Sequence, residues 1–484
     1  MRLRWKDLLR SEVDTKVRWD RWDFVALVLA VVTVIWVFAL KLTTFYDLGY
    51  TSDLFVSVQL ARSWLEGRGV LTANCFQNML ATHTYFLLLP LGLIATPFGA
   101  PGLLFVMAIF VGAAYFWAAR VLRLLSVAGP IAVVAAGVLL VSPFSVAFYQ
   151  EKLFGFHVEV LGPALCLILF YSLLRQCMIE SIVAALIVMS VKEDAPIAAA
   201  IVAIVAGVET WVSSAGTQAR NRLNRPAIVV LVLSFLAVPI LLAISSAQSP
   251  VTYTYRSLNR LGIVAPGSLP GPGALFVFVS SHASHWLGSS IVGQWLWIII
   301  VGTFGMILLR PYYLVAGVPA TLVAWLVNRD DLLWAPRFYP TETLIWCVTS
   351  VGVASVVRAA TLDTRWPRVA VVAAVIVIAA ASGLAQLALV PKARSAYLLR
   401  SGSAYSQVER QQADELFARY RREGKPEEPV VASPMLFRYA HDRYLFWLDR
   451  LHGRPAPIWI LSDGNSNYGY DDIRVNDETL VDDR

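Results

Sequence analysis

Three polar segments carry residue types that do chemistry, in a chain that is otherwise strongly apolar. They are Asp53, the pair His157 and Glu159, and the consecutive triplet Lys192, Glu193 and Asp194. A carboxylate can act as a general base or a metal ligand, and a lysine can contact a phosphate. These residue types therefore favour acid–base chemistry beside a phosphate group.

Each segment also has a purely structural interpretation. Asp53 precedes an amphipathic segment and would serve as the N-cap of a helix. His157 and Glu159 fit a polar loop at the membrane surface, and on a helix their spacing would point them apart. Lys192 would stand at a hairpin tip, with its ammonium group reaching the membrane interface. The sequence leaves both interpretations open for each segment.

Further ionisable residues are predicted on the same side of the membrane as these segments. They are Asp47, His83, Arg256 and Arg337. Arg337 would hold a phosphate through two parallel hydrogen bonds, or else pair with Asp331. Because buried charge is costly near a membrane, this one-sided distribution predicts a substrate-binding site on that face.

Metal, cofactor and nucleic-acid sites are not predicted. His282 and His285 lack a third convincing ligand, and the four scattered cysteines contain no CxxC pair. The nucleotide-binding and hydrolase motifs of known spacing do not occur. The net charge of +7 comes mostly from basic residues at the ends of apolar segments, where they orient the chain in the membrane.

The composition predicts an all-α polytopic membrane protein. Hydrophobic residues make up 57% of the 484 positions and charged residues only 15%. Eleven apolar runs could cross the bilayer. They are 24–42, 102–119, 130–147, 158–174, 178–191, 195–211, 226–245, 291–309, 312–327, 341–357 and 369–390.

Basic residues set the predicted orientation. Seven of the first 21 residues are Arg or Lys, which predicts a cytoplasmic segment at 1–22. The transmembrane domain would cover 23–390, and its outer loop 43–100 would carry two interfacial helices. These are an amphipathic helix at 54–66 and an apolar one at 84–96, which is too short to cross the bilayer and is broken by Pro90 and Gly92. Only if 84–96 does not cross do Arg120 and Arg123 fall on the cytoplasmic side.

The composition changes after residue 390. Residues 391–484 are charged and contain no further span. The segment 407–423 has a helical pattern, while 429–433 and 458–462 read as buried strands with a helix between them. A small extracytoplasmic α/β domain is therefore predicted at 391–484.

The motifs of this chain resemble those of a family of bacterial and archaeal polytopic membrane proteins of unassigned function. They are Asp47-Leu48-Gly49 with Asp53, His83 before an apolar helix, Phe154 to Glu159, and Val191-Lys192-Glu193-Asp194. The first motif departs from the family pattern, so either Asp47 or Asp53 is the equivalent carboxylate. The resemblance covers roughly residues 40–350.

That family is similar in layout to GT-C glycosyltransferases, which use lipid-phosphate sugars. The resemblance implies a transferase in the plasma membrane, with a polyprenyl-phosphate-linked sugar as donor and a cell-envelope acceptor. Asp53 would be the catalytic base, Lys192 and Arg337 would hold the phosphate, and His157 and Glu159 would position the sugar or acceptor. A transporter or flippase and a non-catalytic envelope scaffold are the alternative functions.

Overall fold

The computed structural model describes residues 19–47, 50, 52–73, 79–81, 83–140, 155–214, 224–248, 283–302 and 311–318, with three short strands and single positions after residue 320. This part is mostly helical. The helices are α1 (Arg21–Tyr46), α2 (Ser52–Arg62), α3 (Leu88–Leu124), α4 (Gly129–Leu140), α5 (Gly162–Leu174), α6 (Met178–Met189), α7 (Ala195–Ser214), α8 (Arg225–Gln248) and α9 (Ser290–Gly302). Three 3₁₀ helices cover Met79–Ala81, Val158–Leu161 and Pro311–Gly317.

Helix α1 has a polar cap and an apolar outer face. The Asp20 carboxylate accepts hydrogen bonds from the backbone of Trp22 and Asp23, and the Asp23 carboxylate accepts one from the Asp20 backbone. This reciprocal arrangement satisfies N–H groups that a helix start leaves unpaired. On the face away from the bundle, Val32 and Ile35 are 55% and 64% exposed. Such an apolar exposed face is the surface that lipid would cover.

Three helices of the described part are long and apolar enough to cross a membrane: Arg21–Tyr46, Leu88–Leu124 and Ala195–Val212. Helices also occupy, in whole or in part, the predicted spans 130–147, 158–174, 178–191, 226–245 and 291–309. The predicted span 312–327 begins as a 3₁₀ helix. Apart from three helical positions, 341–357 and 369–390 lie outside the described residues. The total of eleven spans therefore stays a prediction.

The helix after the first loop breaks at a different place from the one expected. Pro90 lies in the first turn of α3, where its missing N–H costs nothing, and Gly92 lies within the helix. The break is at Gly99, with φ 56° and ψ −140°, between Pro97 and Pro101. Helix α3 thus has two arms, 88–98 and 100–124. The placement of the first arm in the membrane interface stays a prediction.

Helix α2 is more deeply buried than the predicted amphipathic helix. Gln59 and Ser63 were expected on a polar face, yet they are only 5% and 0% exposed. The reason is that α3 packs against one side of α2, while the chain after α2 folds back over the other. Arg68 donates a hydrogen bond to the Gln59 carbonyl, and Ser63 accepts one from the Thr72 backbone. The Gln59 backbone carbonyl and the Ser63 hydroxyl are therefore bonded to the segment that follows α2.

A buried ion pair joins α1 to α3 at the end of α3 opposite its break. Arg120 Nη1 lies 2.7 Å from Asp23 Oδ1, and Arg120 Nη2 donates a hydrogen bond of 2.7 Å to the Tyr171 hydroxyl of α5. Both charged side chains are nearly inaccessible to solvent. Arg120 is therefore a structural link between three helices as well as a positive charge at the predicted cytoplasmic side.

Near the C-terminus, three strands form a parallel sheet. They are β1 (Pro429–Ala432), β2 (Tyr444–Trp447) and β3 (Trp459–Leu461), in the order β2–β1–β3. Strands β1 and β3 lie within the two predicted strands, 429–433 and 458–462. Strand β2 lies in the interval where a helix was predicted, and the other residues of that interval lie outside the described ones. Described positions between 408 and 423 are helical, as expected for 407–423. The extent of this domain and its side of the membrane stay predictions.

Candidate functional site

Ionisable side chains from four separate parts of the chain meet at one end of the helices. They come from the first turn of α2, the segment before α3, the segment before α5 and the turn between α6 and α7. This group, called here the polar cluster, contains Asp53, His83, His157, Glu159, Lys192, Glu193 and Asp194. Each of these residues was singled out by the sequence, although the structure leaves their roles as predictions.

Asp53 and His157 form one pair of the polar cluster. Asp53 lies within the first turn of α2, so it follows the helix start instead of capping it. Its Oδ2 is 3.6 Å from His157 Nε2. A carboxylate in this position lies at the positive end of the helix dipole, where a negative charge interacts favourably with the helix.

The backbone just before His157 is held by close packing. Gly155 has φ +75°, and a Cβ atom placed on it would lie 2.8 Å from the Tyr50 ring. Lys41, near the end of α1, donates a hydrogen bond of 3.2 Å to the Gly155 carbonyl and also lies over the Tyr50 ring. Because only glycine adopts this conformation freely, Gly155 fixes the approach of the chain to His157. His157 itself is extended, with φ −132° and ψ 141°.

Glu159 and Lys192 form the most buried part of the cluster. Glu159 Oε1 lies 3.5 Å from Lys192 Nζ, and their side chains are 1% and 10% exposed. The same Glu159 oxygen accepts a hydrogen bond of 3.1 Å from the Tyr85 hydroxyl. Lys192 Nζ is also 3.8 Å from Asp194 Oδ2. The Lys192 ammonium is therefore placed between two carboxylates instead of extending alone toward the interface.

Glu193 binds the segment before α3 to the turn after α6. Its Oε1 lies 2.8 Å from His83 Nδ1, and its Oε2 accepts a bond of 3.1 Å from the Thr84 backbone. A backbone bond of 2.8 Å from Leu87 N to Ser190 O ties the same two segments. Burial alone would raise the pKa of Glu193, but the hydrogen bond and charge of His83 and the charge of Lys192 hold this pKa below its ordinary value.

The charge of the polar cluster is dominated by carboxylates. Electrostatic interactions connect Glu159 with Lys192, His157 and His83, so the pairs form one network. Its four carboxylates outnumber one lysine and two histidines even when both histidines are protonated. Such a site suits proton transfer and hydrogen-bond acceptance, while a phosphate requires further cations. Within the described ranges, no three His, Cys, Asp or Glu side chains form a metal-binding group.

Three predicted residues lie elsewhere or outside the described part. Asp47 caps the C-terminal end of α1, where its backbone N–H bonds to Thr43 O at 2.9 Å. Arg256 and Arg337 lie outside the described residues. Asp53 is therefore a carboxylate of the first motif that contacts a histidine of the polar cluster.

Sequence reasoning missed two residues at the site: Tyr85, which contacts the polar cluster, and Lys41, which bonds to the backbone just before His157. Tyr85 contacts Glu159, and its ring lies 4.9 Å from the His83 ring. Lys41 lies near the end of the predicted span 24–42, where a basic residue is ordinary. Neither residue type was distinctive, because tyrosines and lysines are common at membrane interfaces. The position of Tyr85, two residues after the predicted site residue His83, was the one feature of the sequence that could have indicated its role.

An apolar helical bundle with candidate spans and a polar cluster at one end defines an integral membrane protein with a candidate binding site. More particularly, the chain belongs to the family described as "Predicted membrane protein (DUF2079)", which matches residues 37–419. This match confirms the expected family of polytopic membrane proteins. It also includes all seven residues of the polar cluster.

Comparisons with characterised proteins do not extend the assignment beyond this family. No curated protein sequence matches the chain. Five solved chains match in structure. One of them is the crystal structure of ArnT from Cupriavidus metallidurans bound to undecaprenyl phosphate, with 13% identity, a TM-score of 0.46, and coverage of 87% of this chain and 85% of ArnT. At this TM-score the likeness supports no inference about the function of this chain.

Proposed function

We propose that this protein is a membrane glycosyltransferase of the GT-C type. It would transfer a sugar from a polyprenyl-phosphate donor to a cell-envelope acceptor at the outer face of the plasma membrane. The observation that carries this proposal is the polar cluster, in which the Asp53–His157 pair and the Glu159–Lys192 pair meet at the ends of apolar helices. A lipid-linked donor suits such a site because its polyprenyl tail would lie in the bilayer beside it.

Asp53 is the proposed general base. It would take the proton of the acceptor hydroxyl as that oxygen attacks the anomeric carbon, while the bond from this carbon to the phosphate oxygen breaks. Polyprenyl phosphate then leaves with the bonding electron pair. His157, 3.6 Å from Asp53, would orient the carboxylate and stabilise its charge. Neutralising Asp53 should therefore reduce transfer without removing lipid binding.

Lys192, Arg256 and Arg337 are the proposed phosphate contacts. The leaving phosphate gains negative charge as the bond breaks, and nearby cations stabilise it. Lys192 already faces two carboxylates, at 3.5 and 3.8 Å. It cannot offset an arriving phosphate on its own, which makes the two arginines necessary partners in this proposal.

The proposed orientation places the N-terminus in the cytoplasm and residues 391–484 outside. Reporter fusions at Arg222 and Ser401 test this placement, because the first site should report the cytoplasm and the second the outside. If both fusions report the same compartment, the eleven-span topology is wrong. In that case the polar cluster could not be assigned to the outer face.

Binding of polyprenyl phosphate to purified protein in nanodiscs tests the donor class directly. The variant should combine Lys192→Met with Glu159→Gln, because this double change removes the buried pair without leaving either charge alone. Glu66→Gln is the matched control, because Glu66 pairs with Arg62 and Arg68 away from the cluster. We expect the double variant to bind at least about tenfold more weakly than the control, as one charged hydrogen bond is lost. Wild-type protein that fails to bind the lipid would refute the proposal.

One buried residue favours the alternative of a transporter. Glu209 is fully buried within α7, about 21 Å along the helix from Ala195. It accepts hydrogen bonds from the hydroxyls of Tyr312 and Tyr313. Ionisable residues buried within membrane-spanning helices often mark substrate or ion pathways. Movement of a labelled polyprenyl-phosphate sugar across proteoliposome membranes, without transfer of the sugar, would favour this alternative.

A further inference from the structure

Two carboxylate oxygens of the polar cluster lack a hydrogen-bond donor. Glu159 Oε2 and Asp194 Oδ1 are both buried, and no described donor reaches either atom. The other oxygens of the same groups are engaged, since Glu159 Oε1 contacts Tyr85 and Lys192 and Asp194 Oδ2 faces Lys192. Buried acceptors are nearly always paired in proteins, so two unpaired ones at the same lysine suggest that a ligand supplies the donors.

Glu193 provides an internal comparison. Although it stands between Lys192 and Asp194 in sequence, both of its oxygens are satisfied, one by His83 and one by the Thr84 backbone. Glu193 thus has a structural task, because each of its oxygens is bonded to the segment before α3. The unpaired oxygens belong to the two carboxylates that face Lys192. The cluster is therefore divided into a part that ties segments together and a part with unused acceptors.

We propose that Glu159 and Asp194 form a subsite for the hydroxyl groups of the donor sugar, an inference that rests on the proposed glycosyltransferase function. An ionised carboxylate only accepts hydrogen bonds, so it attracts hydroxyl donors and repels a phosphate. A hydroxyl bound there can also accept a bond from Lys192. This chemistry selects the sugar end of the donor, while the phosphate end would be held by Lys192 together with Arg256 and Arg337.

Because these residues are negatively charged, their removal should have opposite effects on the binding of sugar-bearing and sugar-free lipids. Removing a carboxylate deletes a contact to the sugar, but it also removes a repulsion toward the phosphate. Glu159→Gln and Asp194→Asn should each weaken binding of a sugar-bearing lipid by about tenfold or more. The same variants should bind the sugar-free lipid as well as the wild type or more tightly.

Binding should be measured with full-length protein in nanodiscs, using polyprenyl phosphate, polyprenyl-phosphate glucose and polyprenyl-phosphate mannose as probes. Asp194→Asn is the second variant in case Glu159→Gln fails to fold, because the Asp194 side chain is 40% exposed and therefore easier to replace. Glu66→Gln is the matched control, since Glu66 pairs with Arg62 and Arg68 away from the cluster. We expect the control to bind all three lipids like the wild type.

Several results would overturn the subsite. Equal loss of affinity for the sugar-free and the sugar-bearing lipids would show a general effect on the protein. Two results would show that these carboxylates do not contact the sugar. One is unchanged affinity of both variants for all three lipids. The other is wild-type protein that binds neither sugar lipid more tightly than polyprenyl phosphate. Wild-type protein that binds no lipid at all would instead refute the proposed function itself.

Discussion

Replacement of Lys192 by methionine should destabilise the protein strongly. The Glu159 side chain is 1% exposed and its Oε1 lies 3.5 Å from the Lys192 ammonium. At an effective dielectric constant of about 20, two unit charges at this separation attract by about 5 kcal/mol. Removal of one partner from a buried pair leaves the other charge uncompensated and costs about 3–5 kcal/mol. Asp194 adds little, because its side chain is 40% exposed.

The free energy of unfolding in mixed micelles, measured by detergent titration, tests this estimate. The double variant Lys192→Met with Glu159→Gln should recover most of the loss, because no buried charge is then left alone. Arg175→Met is a matched control, since Arg175 pairs with Glu180 at 3.4 Å but both side chains are substantially exposed. That control should lose less than about 1 kcal/mol.

The structural alternative for Lys192 predicts the opposite effect on stability. A lysine whose ammonium simply reached the membrane interface could be replaced by methionine at almost no cost, because its apolar stem is retained. Wild-type stability in Lys192→Met, or a double variant no more stable than the single one, would therefore refute the buried pair as the structure has it.

Two further predictions concern the surroundings of the polar cluster. Gly155→Ala should lower the free energy of unfolding by at least about 1–2 kcal/mol, because φ is +75° and the new Cβ would lie 2.8 Å from the Tyr50 ring. Thermal unfolding measures this loss. The control Gly293→Ala should lose no stability, because the space around Gly293 is open. Stability should also fall as the pH drops below 4.5, since the pKa of Glu193 is held below that ordinary value and its contribution is complete only above it. His83→Gln should lose stability at neutral pH and show a smaller acid-induced fall, whereas an unchanged pH profile would contradict the pairing.

The residues of the polar cluster could be found from sequence because they are ionisable groups between apolar runs. Lys192, Glu193 and Asp194 interrupt two apolar runs with almost no loop between them, and ionisable groups so close to the membrane are costly and therefore conspicuous. Their pairing could not be read in the same way. His83 and Glu193 are 110 positions apart, and the choice of Glu193 over Glu159 or Asp194 depends on where α3 begins relative to α6.

The helices were predictable where hydrophobicity alone defines them, as for α1 and α7. Burial on particular faces was not, because it depends on neighbours that the local pattern does not contain. Gln59 looked solvent-facing by its position on α2, but the chain that follows covers it. The break in α3 was expected at Pro90 and Gly92 and occurs at Gly99, since a proline in the first turn leaves a helix intact.

Transfer of labelled sugar from a polyprenyl-phosphate donor tests the central claim most directly. Proteoliposomes with wild-type protein or Asp53→Asn would be incubated with labelled donor and cell-envelope extract as the acceptor source. We expect the wild type to transfer the label. Asp53→Asn should transfer it at least about 100-fold more slowly while still binding polyprenyl phosphate. Equal transfer by the two proteins, or none by the wild type although it binds the lipid, would contradict the account.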